Sequence, residues 1–409
     1  MFTEVKACRI CGNTNLVPVL HLGTQTLTGI FPRSVDQPVT AGPLELVKCD
    51  GAGVCGLLQL HHSYTLSEMY GDNYGYRSGL NPSMVAHLRA KVDRIKQQVE
   101  LAEGDVILDI GSNDGTTLRQ YERDDCRLVG IDPTGEKFRK YYTGNVELVA
   151  DFFSVKAFRS VFDTARAKVV TSFSMFYDLE DPAAFMAEVA EILAPDGIWV
   201  FEQSYMPSML DTNSYDTVCH EHLEYYALAQ IAWMAAKSGL EIVDVELNQI
   251  NGGSFSVTVQ KAGGLRRPAA AVAEVMLAEK ARRLDDLSTY TAFRERVEAS
   301  RVTLNEFLDD AKRAGRRVAA LGASTKGNVV LQFCGIGPDR IEAVGEVNSD
   351  KFGGFTPGSH IPIVDEAEVL ASKPDHIIVL PWHFRQFFEA QPRYAGVDLV
   401  YPLPTLSRR

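Results

Sequence analysis

The stretch Val106-Ile107-Leu108-Asp109-Ile110-Gly111-Ser112-Asn113-Asp114-Gly115-Thr116-Thr117-Leu118 constrains the chain more than any other. An apolar, partly β-branched run breaks into glycines and then resumes with spaced apolar residues. That order reads as a buried strand, a tight turn and a helix N-terminus. Gly111 and Gly115 let the backbone approach a ligand closely, and the free amides at the helix start face whatever polar group sits there.

A dinucleotide turn wants G-x-G-x-x-G around its pyrophosphate, whereas this one reads D-x-G-x-x-x-G. The carboxylate of Asp109 at the strand end repels phosphate and suits an ammonium. The turn therefore points to S-adenosylmethionine (SAM), whose aminoacyl end is cationic. The next strand runs from Arg127 to Asp132 and ends in the acid expected to hold ribose hydroxyls, about 20 residues on. Asp151-Phe152 is an acid-aromatic pair suited to adenine, and Asn113 and Ser174 sit at strand exits facing the same place. Tyr76 and Ser78, in a tyrosine- and glycine-rich segment just before this core, are placed as a lid over the cofactor. This much resembles the class I SAM-dependent methyltransferases.

A chain of 409 residues with 45% apolar content has material for two or three packed domains. It contains no run of about 18 apolar residues, and its first residues lack the basic start and apolar stretch of a secretion signal. A cytoplasmic protein with no membrane partner is expected, monomeric or weakly homo-oligomeric. The formal net charge of -12 counts against a nucleic-acid partner, which calls for a basic face.

Residues 1–80 are rich in Gly, Pro and Cys. Cys8 and Cys11 form one thiol pair with x2 spacing, and Cys49 and Cys55 a second with an x5 loop. Four thiolates on two knuckles make a closed tetrahedral zinc site, whose work is structural because no ligand position is left open. It would pin a loop-rich module too small to hold itself together.

From 81 to 262 strands alternate with helices, as a doubly wound sheet requires. Ligands of such sheets sit at the carboxyl ends of the strands, which selects Tyr177 and Glu202 as acceptor contacts. Asp216 to Tyr226 holds a denser cluster, Cys219-His220-Glu221-His222. Read as a helix, H-x-H sends its rings to nearly opposite sides, so general acid-base chemistry by one histidine fits better than metal binding. Asn251-Gly252-Gly253 interrupts a strand pair, either as a hairpin turn or as a close approach of ligand or chain.

Two helices follow up to about Arg317, and then the α/β plan restarts in 263–409. Leu321-Gly322-Ala323-Ser324-Thr325-Lys326-Gly327 is again strand, turn and helix. Here no acid ends the strand; two hydroxyls and a lysine crowd the turn, which suits an anion such as a diphosphate. Asn348 and Lys351 follow the next strand, where polar groups meet a ribose or base.

The paired-cysteine module, the DIGSNDG core, the Cys-His-Glu-His segment and the GASTKGN opening of a third domain together resemble the nucleotide-sugar C-methyltransferases, three-domain enzymes that methylate carbon 3 of dTDP-linked 4-keto-deoxysugars and their relatives. The likeness covers essentially the whole chain. It implies an α/β fold: a class I SAM methyltransferase core, Rossmann-like and doubly wound, with an N-terminal zinc-binding module and a C-terminal second Rossmann-like domain. By position, Cys8, Cys11, Cys49 and Cys55 resemble the zinc ligands, Asp109, Gly111, Asp132, Asp151 and Phe152 the cofactor contacts, and Glu221 and His222 the acid-base pair.

Tyr177, Glu202, His220, Asn251, Gly252, Ser324, Thr325, Lys326, Asn348 and Lys351 are then expected to bind a nucleotide-diphosphate sugar. Members acting on antibiotic sugars carry Tyr-Asp where this chain has Cys219-His220. An O-methyltransferase of sugar nucleotides is the nearest alternative. An RNA or protein methyltransferase would share the first two modules without explaining the third, and a SAM-binding scaffold would not need His222.

Overall fold

The computed structural model describes residues 2–69 and 77–409, with only the backbone described for Leu66 and Ser67. Tyr76 lies outside the described residues.

Val106–Ile110 is buried along its entire length, as a central parallel strand covered on both faces must be. It lies in a seven-stranded sheet whose order across is Leu240–Asn248, Ser254–Lys261, Leu193–Ser204, Ala167–Phe173, Val106–Ile110, Arg127–Ile131 and Val146–Val149. Ser254–Lys261 runs antiparallel to both neighbours; the five strands from Leu193–Ser204 onward are parallel. This is the doubly wound class I methyltransferase sheet. Chain order reverses between Val106–Ile110 and Ala167–Phe173, the switch point at which such sheets bind ligands.

A second sheet has the order Ile363–Asp365, Val344–Glu346, Val318–Leu321, His376–Val379, Leu399–Tyr401 and Ser407–Arg408, parallel except for the last strand. It repeats the plan, with its own reversal between Val318–Leu321 and His376–Val379.

The N-terminal module contributes Leu16–Thr26, Ala41–Cys49 and Leu58–Leu60 to a four-stranded sheet completed from the methyltransferase core by Glu224–Tyr225, immediately after His222. Besides a small apolar cluster of its own around Leu27, Tyr64 and Met69, its Leu20, Leu46 and Leu58 share one buried cluster with Met206 and Tyr215 of the core and Val318 and Leu331 of the C-terminal sheet. The module is a wedge touching both halves.

The two expected helices span Ala270–Ala281 and Leu287–Arg313. Glu279 on the first is buried and accepts the Leu228 and Ala229 amides at 2.6 and 3.1 Å, capping the helix Leu228–Lys237 and tying Ala270–Ala281 to the methyltransferase core. Tyr290, Phe293 and Val297 of the second pack into the shared cluster. No helix among the described residues is long and apolar enough to cross a membrane.

Candidate active site

The carboxyl ends of both parallel sheets open on one cavity of about 1370 Å³. Single-ligand pockets are typically about 300 to 1,000 Å³, so this one has room for two.

On the methyltransferase side Gly111 turns the chain at φ +70°, where a Cβ would fall 3.1 Å from Met175 Cγ. Asp109 accepts the Thr171 hydroxyl at 2.6 Å and is buried, which pushes its carboxyl up to about 7. Its hydrogen-bond partners are neutral hydroxyls, so an acid facing the cavity lacks a cation, and an ammonium supplies one. Asp132 accepts the Asn113 amide at 2.7 Å and the Thr134 amide and hydroxyl at 2.6 Å each. Those bonds hold it at the cavity wall. Phe152 lines the same wall with 55% of its surface exposed, a bare aromatic face on the wall that Asp132 also lines. Ser78 meets the glycine turn through its amide, which donates to Asn113 Oδ1 at 3.0 Å, and Ser174 lines the cavity at φ +56°. These residues fit SAM, whose chemistry is an electrophilic methyl on a sulfonium.

On the C-terminal side Ser324 caps the helix Thr325–Phe333 by accepting the Gly327 amide at 3.1 Å. Lys351 donates to Ala323 O at 2.7 Å, lies 3.7 Å from Glu346 and sits 4.5 Å above the Phe31 ring. Lys326 donates to Asn251 O at 2.7 Å, bridging to the methyltransferase core. Ser324, Thr325, Asn251 and Asn348 line the cavity beside them.

Glu221 and His222 stand where the halves meet. The segment carrying them is a loop after the short helix Tyr215–Thr217 rather than a helix. His222 Nδ1 lies 3.0 Å from Thr217 O; a carbonyl only accepts, so Nδ1 carries the proton and Nε2 keeps its lone pair. Tyr177 tilts against this ring at 4.3 Å between centroids. Burial, reinforced by the charge of Lys326, pushes the imidazole down to about 3, so it is neutral near pH 7. Burial raises the Glu221 carboxyl. A Cβ on Gly29 would fall 2.3 Å from Glu221 Oε1 and 3.6 Å from Thr325 Oγ1. The zinc module, the core and the C-terminal half thus touch at one point.

The four cysteines are free and their sulfurs lie within 4.8 Å of one another. Cys8 and Cys55 are 3.4 Å apart, and Cys11 and Cys49 3.6 Å. Those separations are far too long for disulfides and close to the ~3.8 Å between two thiolates on one tetrahedral zinc. Asn13 Nδ2 donates to Cys49 Sγ at 3.3 Å, a ready outer partner. Among the described residues the other group of potential ligands is Glu45, His61 and His62, where His61 Nδ1 and Glu45 Oε2 pair at 2.6 Å.

Five expected contacts sit elsewhere, since none is among the described residues lining the cavity. Glu202 is buried under the sheet end, bound by His87, Lys91 and Asn248 at 2.5, 2.8 and 2.7 Å. It anchors the helix Pro82–Gln98. His220 is buried edge-on against Tyr64 of the zinc module at 4.6 Å, on the side of the loop away from the cavity. Asp151 turns back to accept its neighbour's amide, Phe152 N, at 2.7 Å. Gly115 starts a helix under Tyr142, 3.3 Å from where its Cβ would lie. Gly252 abuts Trp382 and His383, a close approach of another domain rather than of a ligand.

Glu346, Arg33, Phe384 and Phe387 also line the cavity and were not singled out in the sequence. Glu346 carried a usable signal, an acid ending an apolar strand as Asp132 follows its own; Arg33 and the phenylalanines carried none.

Three family models match the chain in succession: a zinc binding domain over residues 8–70, a methyltransferase domain over 84–245 and a C-methyltransferase C-terminal domain over 249–404. Over 411 aligned residues the chain is 29% identical to "C-methyltransferase NovU" of Streptomyces niveus, with 98% of this chain and 96% of the relative covered. The chain is a SAM-dependent methyltransferase, similar along its length to zinc-containing C-methyltransferases. This methyltransferase uses SAM, and its N-terminal module, matched as a zinc binding domain, carries the four-cysteine cluster. Among solved structures, an O-methyltransferase family protein from Burkholderia thailandensis is 19% identical over 49% of this methyltransferase and 64% of its own chain, with a TM-score of 0.36. The plantazolicin methyltransferase BpumL in complex with SAH is 11% identical over 42% and 82%, with a TM-score of 0.34.

Proposed function

We propose that this C-methyltransferase methylates the carbon next to the keto group of a nucleotide-linked 4-keto-hexose, at C3, with His222 as the proton-abstracting base. The observation that carries the reading is the His222 tautomer. Its Nδ1 proton is committed to Thr217 O at 3.0 Å, and the ring lines the cavity that both halves share. A sugar C–H is too weak an acid to ionise unaided, and an adjacent ketone delocalises the charge onto oxygen. Nε2 takes the proton and the resulting enolate carbon is the nucleophile; Glu221, beside Thr28 and Thr325, orients a sugar hydroxyl. The turn at Ser324 and Lys351 holds the diphosphate, so binding energy far from the reacting carbon positions it. An O-methyltransferase would use the same nitrogen on a hydroxyl, and no α-carbon proton would then exchange.

The test is washout of the α-proton into deuterated solvent on a panel of 4-keto nucleotide sugars, with SAM withheld. Wild-type protein should exchange one position, and His222→Asn should lose about a thousandfold in exchange and methylation alike with SAM affinity intact. Methylation without exchange competence would instead mark an oxygen acceptor.

A further inference from the structure

Lys326 was placed by sequence on the diphosphate, and the structure puts its ammonium somewhere else. The side chain leaves the first turn of Thr325–Phe333 and reaches Asn251 O of the opposite half at 2.7 Å. An ammonium has three N–H donors. Among the described residues that carbonyl is its one hydrogen-bond acceptor, so two donors remain for a ligand in the cavity that Lys326 lines.

It also forms no ion pair within 4.0 Å among the described residues, in contrast to Lys351, which has Glu346 at 3.7 Å. The acid whose charge supports it is Asp216, whose Oδ2 accepts Trp382 Nε1 at 2.8 Å and which forms no ion pair with Lys326 within 4.0 Å. Among the groups that feel the Lys326 charge are Cys219 and His222 in the loop that carries the base, Asp216 in the short helix before it, and His383. Lys326 therefore stands over the acid-base loop, while the capped turn behind it remains for phosphate.

We propose that Lys326 is a catalytic residue that donates to the 4-keto oxygen and stabilises the enolate. The inference rests on the keto-sugar reading given above. In the step it serves, the carbonyl π pair moves onto the ketone oxygen, where Lys326 meets the new negative charge, the proton goes to His222 Nε2, and the carbon–hydrogen electron pair becomes the carbon–carbon π bond of the enolate. That π pair then forms the bond to the methyl carbon as the methyl–sulfur bond breaks and its electrons stay on sulfur. The ketone is restored and His222 releases its proton to solvent. The arrangement also accounts for a base as weak as this buried imidazole: an ammonium on the ketone brings the carbon acid down toward it, and preorganised donors of this kind are worth about a hundred- to a thousandfold in rate.

The experiment compares wild type, Lys326→Met and Lys326→Arg in the α-proton washout assay with SAM withheld, followed by steady-state methylation. We expect Lys326→Met to lower both the exchange rate and kcat by about a hundredfold or more, with KM for the sugar nucleotide within about threefold. Removing the charge should also shift the acid limb of the exchange profile to higher pH, because His222 is relieved of its cationic neighbour. Lys326→Arg keeps a charged donor, should recover part of the rate, and serves if the Met variant does not fold. A variant with unchanged kcat and a KM raised tenfold would return Lys326 to the diphosphate and overturn the proposal. If wild type exchanges no proton on any keto nucleotide sugar, the substrate reading fails, an outcome distinct from a wild type that exchanges and a Lys326→Met variant that exchanges equally well.

Discussion

The two halves of this methyltransferase are built on one backbone plan and differ in the charge of a single turn. Asp109-Ile110-Gly111 on one side corresponds to Ala320-Leu321-Gly322 on the other, with the glycines at φ +70° and +84°. Both sheets reverse order beside this strand, and both turns feed a helix. Where the strand carries Asp109, the turn also holds Asp114 and looks across at Asp132, and the site selects a cation. Where it carries Ala320, the turn holds Ser324 and Thr325 with Lys351 nearby, and in the reading proposed above it takes an anion. A doubly wound sheet fixes where a ligand sits, and the side chain two residues before the turn glycine fixes its sign.

The largest expected effect breaks the comparison at its acidic end. Asp109→Asn keeps the shape and removes the charge that meets the ammonium. A hydrogen bond to a charged partner contributes about 1.5–3 kcal/mol, so SAM affinity should fall about 10- to 100-fold by calorimetry, with sugar-nucleotide affinity unchanged. Loss of both affinities together would mean that the two turns are not independent.

The reciprocal change is smaller. Lys351→Met removes a half-buried cation whose charge is shared with Glu346 at 3.7 Å. Part of its attraction for a diphosphate is already spent on that neighbour, so acceptor affinity should fall about tenfold, or ~1.4 kcal/mol, and SAM affinity not at all. A SAM defect in this variant would place the donor across both halves and void the assignment of one ligand per turn.

This symmetry was legible in the chain because it is local. Strand, glycine turn and helix start follow one another within a dozen residues, and the sign of the turn is written in them. The cysteine pairs were legible for the same reason, since metal spacing is a short-range pattern. What sequence missed is set by contacts between distant segments. Glu202 ends a strand just as a ligand-binding acid does, and only the approach of His87 and Lys91 from the helix Pro82–Gln98 turns it into an anchor. His220 and His222 read alike until the loop sends one toward Tyr64 and the other into the cavity. Gly252 and Lys326 were both assigned to ligand from their own neighbourhoods, yet each meets the opposite domain. Strand Glu224–Tyr225 joining the zinc module's sheet had no signature at all, because two residues are too few to show a period.

The smallest effect is the most discriminating, because it reads the sign of the acidic turn without mutation. Burial raises the Asp109 carboxyl from 3.8 to about 7. In the ligand-free protein it therefore holds a proton that the unfolded chain would release, so its contribution to stability is fully present below pH 3.8 and lost as pH rises to about 7. An ammonium in the site reverses the preference: binding favours the ionised acid, so SAM should bind more tightly as pH rises and displace a proton as it does. The upper limit is the ligand's own α-amino group, which loses its charge near about 7.7–8.0. Between pH 6 and 7.5 affinity should improve about fivefold, with close to one proton released at the acid end when titrations in buffers of different ionisation enthalpy are compared. In Asp109→Asn both the slope and the released proton should vanish. A flat wild-type profile would show that Asp109 is ionised before the ligand arrives, and the cation preference would then have to come from Asp114 and Asp132 rather than from the residue that distinguishes one half from the other.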